Sequence, residues 1–334
     1  MPVTIKDIAQ AAGVSPSTVS RALSDHPRIS AGTKERVRRL ARDMGYTPSI
    51  LARGLVTRHT ATIGVAITTV SDPFLAPLVR GIEAIAHENG YSVFLGNVHR
   101  DRERELQVVQ SFYERWVSGI IVAGSQIDEG YLDLRDRFPL PIVLFNCRTY
   151  PYSVSTDNLI GACQAVAHLV QLGHRRIAYI ANQYSYRANL DRLTGYRRVL
   201  EESGTSMDPN LVTEGDGTIK SGLKAAGELL ALSQPPTAFF CFNDMTAMGV
   251  INALRRAGLQ VPRDKSVVGF DDLDLARYYN PPLTTVRQPT HQLGQRAIRM
   301  LLDLIQGRDD LQPEILPAEL VVRETTGPAP TLAQ

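Results

Sequence analysis

TIKDIAQAAGVSPSTVSRALS, residues 4–24, contains the features of two short helices joined by a tight turn. Thr4 and Asp7 have the spacing of a capping box, and the apolar residues between and after them recur at helical intervals. Gly13 interrupts the first helix and tolerates the left-handed backbone of a sharp turn. Ser15 can then cap a second helix that begins with proline, whose missing N–H costs nothing there. The stretch predicts a helix-turn-helix.

The outward face of the second predicted helix carries short polar side chains and an arginine: Ser17, Thr18, Ser20 and Arg21. Ala9 provides a small residue for close packing, and Val19 provides a core residue. Such a polar face can approach the floor of the DNA major groove. An ordinary helical hairpin on a larger domain is the alternative, but the caps, turn, core and polar face all agree with DNA binding.

A third helix is predicted over about residues 31–44, between Ser30 as its cap and Gly45 as its stop. Together the three helices form an all-α headpiece over residues 1–46. Residues 1–60 contain ten basic and four acidic residues, whereas the rest of the 334-residue chain has a net charge of −4. A basic head on a mildly acidic body favours a polyanionic partner at the head only.

Residues 47–60 have too few apolar side chains for a core and too many for an ordinary linker. Two interpretations fit their spacing equally well. The stretch is either a linker with incidental apolar residues or a short helix that folds only on DNA. In the second case, Leu55 would wedge into the minor groove.

From Thr62 onward, apolar runs of about five residues alternate with helical stretches. The runs are IGVAI, YSVFLGN, GIIVAG, PIVLFN, RIAYIAN, AFFCFND and SVVGFDD. Helices are predicted near 75–89, 102–116, 158–172, 192–203, 220–232, 245–257 and 291–306. This alternation is typical of parallel sheets covered by helices on both faces. The pattern runs twice, before and after about residue 160, so we expect two similar doubly wound α/β lobes.

Polar residues follow several of the predicted strands: Asp72, Asn146, Asn243 and Asp271. Ligands of such sheets bind beyond the carboxyl ends of the strands, so these side chains would converge on a cleft. Each residue alone also fits the cap of a following helix, a role that we expect in particular for Asp244 and Asp272.

Several classes of protein are disfavoured by the sequence. It contains no P-loop, no GxGxxG after a strand, and no GxSxG, HExxH or paired Cys or His motif, so we expect no enzyme. The three scattered cysteines, Cys147, Cys163 and Cys241, lack metal-ligand spacing, and we expect reduced thiols and neither metal nor cofactor. The absence of a signal core and of a membrane-length apolar stretch predicts a cytoplasmic protein without a membrane partner.

Over about residues 3–327 the sequence resembles the lactose/galactose repressor family of bacterial transcription regulators. The resemblance rests on TIKDIAQAAGVSPSTVSRAL, GYTPSILARGL, SDPFLAPLVRGIE, HLVQLGHRRIAYIAN, NDMTAMGV, SVVGFDD and NPPLTTVRQP. It implies a headpiece, a hinge helix and a two-lobed core like the periplasmic sugar-binding proteins, with three chain crossings between lobes. The implied segments are a hinge and linker at 47–60, an N-terminal lobe at 61–158 with 289–317, a C-terminal lobe at 159–288 with 318–328, and a tail at 329–334.

The resemblance also implies a set of DNA contacts: Thr4, Lys6, Ser15, Pro16, Ser17, Thr18, Ser20, Arg21, Ala52, Arg53 and Leu55. Pro16 and Ser17 occupy the positions that chiefly vary base choice in the family. Because both are small, we expect Arg21 to carry much of the readout as a bidentate donor to guanine. Thr4 and Lys6 would approach phosphates. Leu55 matches the hinge leucine that intercalates, with Ala52 and Arg53 beside it in the groove.

For the effector, the resemblance implies ligand contacts from Arg192, Asn243 and Asp271, with the cleft also lined by Asp72, Phe74, Ser125, Asn146 and Gln288. This chemistry suits a sugar, because carboxylates accept hydroxyl protons while arginine and asparagine donate. A purine is the alternative ligand for this cleft. Some family members carry a stacking aromatic where this chain has Gly217, so Phe74 or Tyr184 would replace it, or the ligand is larger or more polar.

The expected protein is a sugar-responsive repressor that binds a pseudo-palindromic operator. It is expected to be a homodimer, since the chain shows no leucine heptad of the kind that makes tetramers in longer members. One alternative is a purine-type regulator in which the ligand is a corepressor. Another is a small-molecule binding protein or enzyme with an accessory head domain.

Overall fold

A computed structural model describes residues 3–46, 60–127, 130–134, 137–147, 149–184 and 186–330. The chain divides into two compact units, Met1–Thr60 and Ala61–Gln334. The expected hinge contacts Ala52, Arg53 and Leu55 lie outside the described residues.

The first unit contains three helices: α1 (Ile5–Ala12), α2 (Pro16–Leu23) and α3 (Ala31–Asp43). Their buried faces meet in one small core that includes Ile8, Val19 and Val37. Gly13, at φ +64°, makes the left-handed turn after α1 that the sequence predicts. The helix-turn-helix is therefore confirmed.

Side chains cap both helices of the motif. The Asp7 carboxylate accepts hydrogen bonds from the Thr4 backbone N–H and the Thr4 hydroxyl, both at 2.8 Å. The Ser15 hydroxyl oxygen accepts the Thr18 N–H at 3.1 Å, which satisfies one of the unpaired donors at the start of α2. These local bonds fix where each helix begins.

The second unit contains two six-stranded sheets. The first has the order β11-β5-β4-β3-β1-β2 and is parallel throughout. Its strands are β1 (Thr62–Ile67), β2 (Ser92–Asn97), β3 (Gly119–Ala123), β4 (Ile142–Phe145), β5 (Ser153–Thr156) and β11 (Glu314–Leu316). The second has the order β12-β10-β9-β8-β6-β7, with β12 antiparallel to β10. Its strands are β6 (Ile177–Asn182), β7 (Val212–Gly215), β8 (Ala238–Cys241), β9 (Ser266–Asp271), β10 (Thr284–Arg287) and β12 (Glu319–Val321).

Helices cover both faces of each sheet. They are α4 (Leu75–Glu88), α5 (Arg102–Glu114), α6 (Tyr131–Leu134), α7 (Asn158–Gln171), α8 (Tyr186–Glu202), α9 (Ile219–Leu230), α10 (Asp244–Arg256), α11 (Asp274–Tyr278) and α12 (Thr290–Ile305). Side chains alternate between two cores: Ile121 of β3 packs in one, and Ile120 and Val122 pack in the other. This confirms the doubly wound α/β class. The prediction was wrong at the start of α8, which begins at Tyr186 instead of residue 192.

The chain passes between the two sheets three times, after β5, after β10 and after β11. In consequence α7 packs against the second sheet and α12 packs against the first. The crossings bring the carboxyl ends of strands from both sheets close to the connecting segments. The exact lobe boundaries expected from the sequence stay a prediction.

Glycines permit a close helix crossing in each half of the second unit. A Cβ atom on Gly81 of α4 would lie 2.2 Å from the His291 carbonyl oxygen, and one on Gly294 of α12 would lie 2.1 Å from that of Leu78. The crossing of α9 and α10 is equally close, because a Cβ atom on Gly222 would lie 2.2 Å from the carbonyl oxygen of Thr246. Only glycine leaves room for such backbone contact.

We predict that Gly222→Ala lowers the free energy of unfolding by about 1–3 kcal/mol, because the new methyl forces α9 away from α10. Gly227→Ala, in the same helix, is the matched control: it has open space around it and should stabilise by about 0.5–1 kcal/mol. Urea unfolding followed by circular dichroism measures both. Equal midpoints for the two variants would contradict the close crossing.

Candidate functional site

The predicted DNA-facing residues of the first unit lie mostly on its surface. Seven side chains around α1 and α2 are exposed and Thr18 is half-buried. The exposed ones are Lys6, Ser15, Pro16, Ser17, Ser20 and Arg21, and Thr4 at the start of α1 is exposed as well. Ser15 lies 2.8 Å from the Ser17 hydroxyl and 2.9 Å from that of Thr18, so these hydroxyls form one polar group at the start of α2.

Asp25, which follows α2, binds two cations of α3. Its carboxylate lies 3.0 Å from Lys34 Nζ and 2.9 Å from an Arg38 nitrogen, and the Lys34 and Arg38 contacts lower the pKa of Asp25. Among the described residues, none forms a hydrogen bond or ion pair with the Arg21 guanidinium. Arg21 is therefore available for an external acceptor, whereas Lys34 and Arg38 are partly neutralised.

In the second unit, a cavity of about 100 Å³ lies at the carboxyl ends of strands from both sheets. We call it the effector cavity. Seven of the eight predicted effector residues line it: Asp72, Phe74, Asn146, Arg192, Asn243, Asp271 and Gln288. The structure therefore brings together residues that are up to 216 positions apart in the sequence.

Ser125 is the exception, because it is absent from the lining of this cavity. Its hydroxyl donates to Glu105 Oε1 at 2.6 Å and accepts the Ile127 N–H at 2.9 Å. Glu105 is buried and also accepts from the Tyr131 hydroxyl at 2.8 Å. Ser125 thus stabilises the loop after β3, since its hydrogen bonds are directed into the protein.

Arg192 of α8 is only 2% exposed, and its guanidinium is held from several sides. It donates to Asn158 Oδ1 at 3.0 and 2.8 Å and to the Phe242 carbonyl. The same group lies 3.6 Å above the centre of the Phe270 ring and 4.3 Å from that of Phe242. These contacts replace the water that a buried cation loses and fix its orientation beside the cavity.

A chain of buried hydrogen bonds joins the cavity to two of the crossings between sheets. Gln288, just after β10, donates its amide to Asp271 Oδ1 at 2.7 Å. The Gln288 carbonyl oxygen accepts the hydroxyl of Thr156, at the end of β5, also at 2.7 Å. Asp271 is therefore linked by hydrogen bonds to two of the segments that connect the sheets.

The two carboxyl groups of the cavity have altered acidity. Burial raises the pKa of Asp271 well above its usual range, Asp244 and Asp72 raise it further, and Arg192 opposes them. Burial also raises the pKa of Asp72, against the Phe74 N–H and the Arg100 charge. Both groups therefore gain from a partner that donates hydrogen bonds, because such a partner stabilises the charged form.

The cap roles expected for Asp244 and Asp272 were wrong. Asn243 caps α10, with Oδ1 accepting the Thr246 N–H at 2.9 Å. Asp244 instead accepts the Leu273 N–H at 2.8 Å and the Thr285 hydroxyl, which ties α10 to the loop after β9. Asp272 pairs with Arg287 and Arg323. Neither role is visible locally, because every partner lies far away along the chain.

The missing aromatic at Gly217 has a steric explanation. Gly217 has φ +77°, and a Cβ there would lie 2.7 Å from Asn182 Nδ2. Its carbonyl accepts the Asn243 amide at 3.0 Å, so the loop is held beside the cavity. Phe74 and Tyr184, the two expected replacements, both line the cavity.

Sequence reasoning missed Arg100, which also lines the cavity. Its guanidinium donates to the Asp216 carbonyl at 2.6 Å and lies 5.5 Å from the centre of the Tyr184 ring. Arg100 lies on the side of the cavity formed by the first sheet, and both of its partners lie on the side formed by the second sheet. Arg100 lies in a run of charged residues, HRDRERE, and nothing in that run distinguishes it from its solvent-exposed neighbours.

The described ranges provide neither a metal-binding cluster nor a membrane-spanning helix. They contain no cluster of three or more His, Cys, Asp or Glu side chains able to hold a metal ion. They also contain no helix long and apolar enough to cross a membrane.

Family models built from known proteins match parts of both units. The family model for bacterial regulatory proteins of the lacI family matches residues 4–49, and that for a periplasmic binding protein-like domain matches residues 166–326. The HTH-type transcriptional repressor CytR of Escherichia coli strain K12 is 36% identical over 332 residues, covering 98% of this chain and 97% of that protein.

Two solved structures match nearly the whole chain. The lac repressor dimer bound to operator and the anti-inducer ONPF matches with a TM-score of 0.88 and 32% identity, covering 98% of this chain and 100% of that chain. The complex of the transcriptional regulator CelR with cellobiose matches with a TM-score of 0.74 and 31% identity, covering 97% and 99%. The similarity therefore includes the head and the core together.

The acidity of Asp244 predicts a pH dependence of stability. Burial raises its pKa from 3.8 to about 7, so the folded chain binds this proton more tightly than the unfolded chain does. The resulting stabilisation is fully present below about pH 4 and is lost as the pH rises through about 7. Asp244→Asn stays neutral, so its free energy of unfolding should fall less than that of the wild type between pH 5 and 8.

Urea unfolding at several pH values tests this expectation, with the exposed Asp310→Asn as the control. The control should follow the wild type. Parallel curves for the wild type and Asp244→Asn would show that Asp244 does not take up a proton in this range.

Proposed function

This chain belongs to the lacI family of bacterial regulatory proteins, and we propose that it is a dimeric repressor whose operator affinity responds to a sugar or sugar derivative in the effector cavity. The observation that carries the proposal is the convergence of Asp271, Arg192, Asn243 and Gln288 on one buried cavity that both sheets line. We propose that it acts in the cytoplasm, where operator DNA is available.

The charges around the cavity favour a neutral polar ligand. Asp72 and Asp271 provide two carboxyl groups, and Arg100 and Arg192 provide two guanidinium groups, so the formal charges balance. A sugar offers hydroxyl groups that both donate to carboxylates and accept from guanidinium and amide groups. Phe74 and Tyr184 add apolar surface against which a sugar ring can pack. The bound cellobiose of CelR supports this class of ligand.

Two exposed apolar surfaces of the second unit support a homodimer. Phe94 is 48% exposed, next to the exposed Leu95, on β2 at the edge of the first sheet. Tyr278 is 79% exposed, near the exposed Leu275, on α11 beside the second sheet. Apolar side chains on an edge strand favour association with another chain. The dimeric state of the matching lac repressor structure makes a second copy the proposed occupant.

The proposed mechanism couples the cavity to DNA through movement of the sheets. A ligand competes with Gln288 for Asp271 and so acts on the crossings at Gln288 and Thr156. The resulting change in the angle between lobes alters the spacing of the two hinges and headpieces of a dimer. Such coupling is typically about 1–3 kcal/mol, which changes operator affinity from several-fold to about a hundred-fold. A dimer would bind a pseudo-palindromic operator.

We predict that Arg21→Ala weakens operator binding by about 1–3 kcal/mol, because a bidentate contact with a base is lost. An operator is first selected from random duplex DNA with the wild-type protein, and fluorescence anisotropy then gives affinities for operator and random DNA. Arg39→Ala, which removes an equal charge from α3, is the control and should weaken binding to both DNAs alike. Equal losses on both DNAs for Arg21→Ala would exclude base reading.

We predict that Asp271→Ala abolishes the effector response without weakening basal operator binding. The wild-type protein is screened by thermal shift against sugars, sugar phosphates and purines, and the ligand found is titrated by calorimetry. Loss of the Asp271 hydrogen bonds should weaken that ligand at least about tenfold. Asp310→Ala, at an exposed acid, should bind as the wild type does.

Unchanged ligand affinity in Asp271→Ala would contradict the placement of the effector. Stabilisation of the wild type by a purine alone would instead favour a corepressor of the purine type.

A further inference from the structure

A second cavity of about 50 Å³ adjoins the effector cavity, and the two share Asn146 in their linings. We call it the side chamber. Its remaining lining comes from β5, the start of α7 and the first half of α8: Ser155, Asn158, Arg187, Leu190 and Asp191. Asn158 also accepts two hydrogen bonds from Arg192, which lines the effector cavity, so this pair joins the two linings.

Ser155 provides the chemical feature of the side chamber. Its side chain is 2% exposed, and its hydroxyl has no hydrogen-bond partner among the residues that the structure describes. A buried hydroxyl without a partner is costly, so the chamber favours an occupant that carries a polar group. Ser153, two residues earlier on the same strand, is also buried and lacks a hydrogen-bond partner within the described ranges, but it does not line the chamber.

Asn146 lies between the two spaces and is only loosely held. Its side-chain oxygen accepts from the Thr156 N–H and from Asn158 Nδ2, both at 3.4 Å, near the limit of a hydrogen bond. Asn146 is therefore the weakly bonded side chain that the two linings share.

We propose that the side chamber binds the hydroxymethyl arm of a sugar whose ring lies in the effector cavity; this inference rests on the proposed function. The chamber has room for about three water molecules, which suits one CH₂OH group but not a second ring. Arg187 and Asp191 give its lining one charge of each sign, which favours a neutral hydroxyl over a phosphate ester. The Ser155 hydroxyl supplies the hydrogen-bond partner.

Pairs of sugars that differ only in this arm test the proposal: D-glucose with D-xylose, D-galactose with L-arabinose, and D-allose with D-ribose. Calorimetry of the full-length protein gives the affinity for both members of each pair. In a pair that binds, the hexose should bind about tenfold tighter, because it buries one more methylene and forms one more hydrogen bond.

Variants of the two serines separate the chamber from general packing. Ser155→Val fills the chamber and removes its hydroxyl, so the preference for the hexose should disappear while pentose affinity stays within about twofold. Ser155→Ala, which leaves the space open and is easier to accommodate in the fold, should lose part of the preference. Ser153→Val, the matched control, should retain it. Unfolding midpoints without ligand establish that each variant is folded.

Equal affinities within every pair for the wild type would overturn the proposal, as would an unchanged preference in Ser155→Val or an equal loss in Ser153→Val. In those cases, loss of binding in Asp271→Ala still supports a sugar effector, so the two proposals fail separately. A wild-type protein that binds none of the six sugars would overturn the side-chamber proposal and oppose these sugars as effectors.

Discussion

The buried guanidinium of Arg192 must be satisfied without water, and the groups that satisfy it come from several elements. Asn158 at the start of α7, the Phe242 carbonyl after β8 and the Phe270 ring of β9 surround it. Removing any one partner would leave a buried charge less compensated. The requirement therefore fixes the relative positions of α7, α8 and the ends of two strands, and with them the wall of the effector cavity. Asp271, at the end of β9, then lies in the field of this cation.

The same site lies beside the segments that connect the two sheets. Asp271 bonds to Gln288, and Gln288 bonds to Thr156, so one carboxyl group is linked to two of the three chain crossings. Arg100 adds a contact between the two sides of the cavity through the Asp216 carbonyl. In the proposed mechanism, a ligand replaces these bonds with bonds to its own hydroxyl groups and so changes the forces between the sheets.

Much of this arrangement could be predicted from the sequence, because strand periodicity and polar strand ends are local features. Asn146, Asn243 and Asp271 were found that way, whereas Arg192 and Gln288 came only from the family resemblance. The short strands SVST and TTVR were missed, since their Ser and Thr residues are buried by pairing with distant strands. The cap role of Asp244 was misassigned for the same reason, because its hydrogen-bond partners are distant in sequence. Ser125 lies outside the lining of the effector cavity, and its partner Glu105 is 20 residues away along the chain. The residues that line the side chamber come together only in the folded protein, so no sequence pattern indicates the chamber.

Binding of the effector is proposed to change the affinity for the operator, and binding of the operator to change the affinity for the effector. A reciprocal titration tests this linkage most directly. Operator affinity is measured by anisotropy with and without saturating effector, and effector affinity is measured by calorimetry with and without saturating operator. Linkage requires the same factor in both directions, between several-fold and about a hundred-fold. An effector that binds Asp271 with the same affinity in the presence and absence of operator would contradict the account.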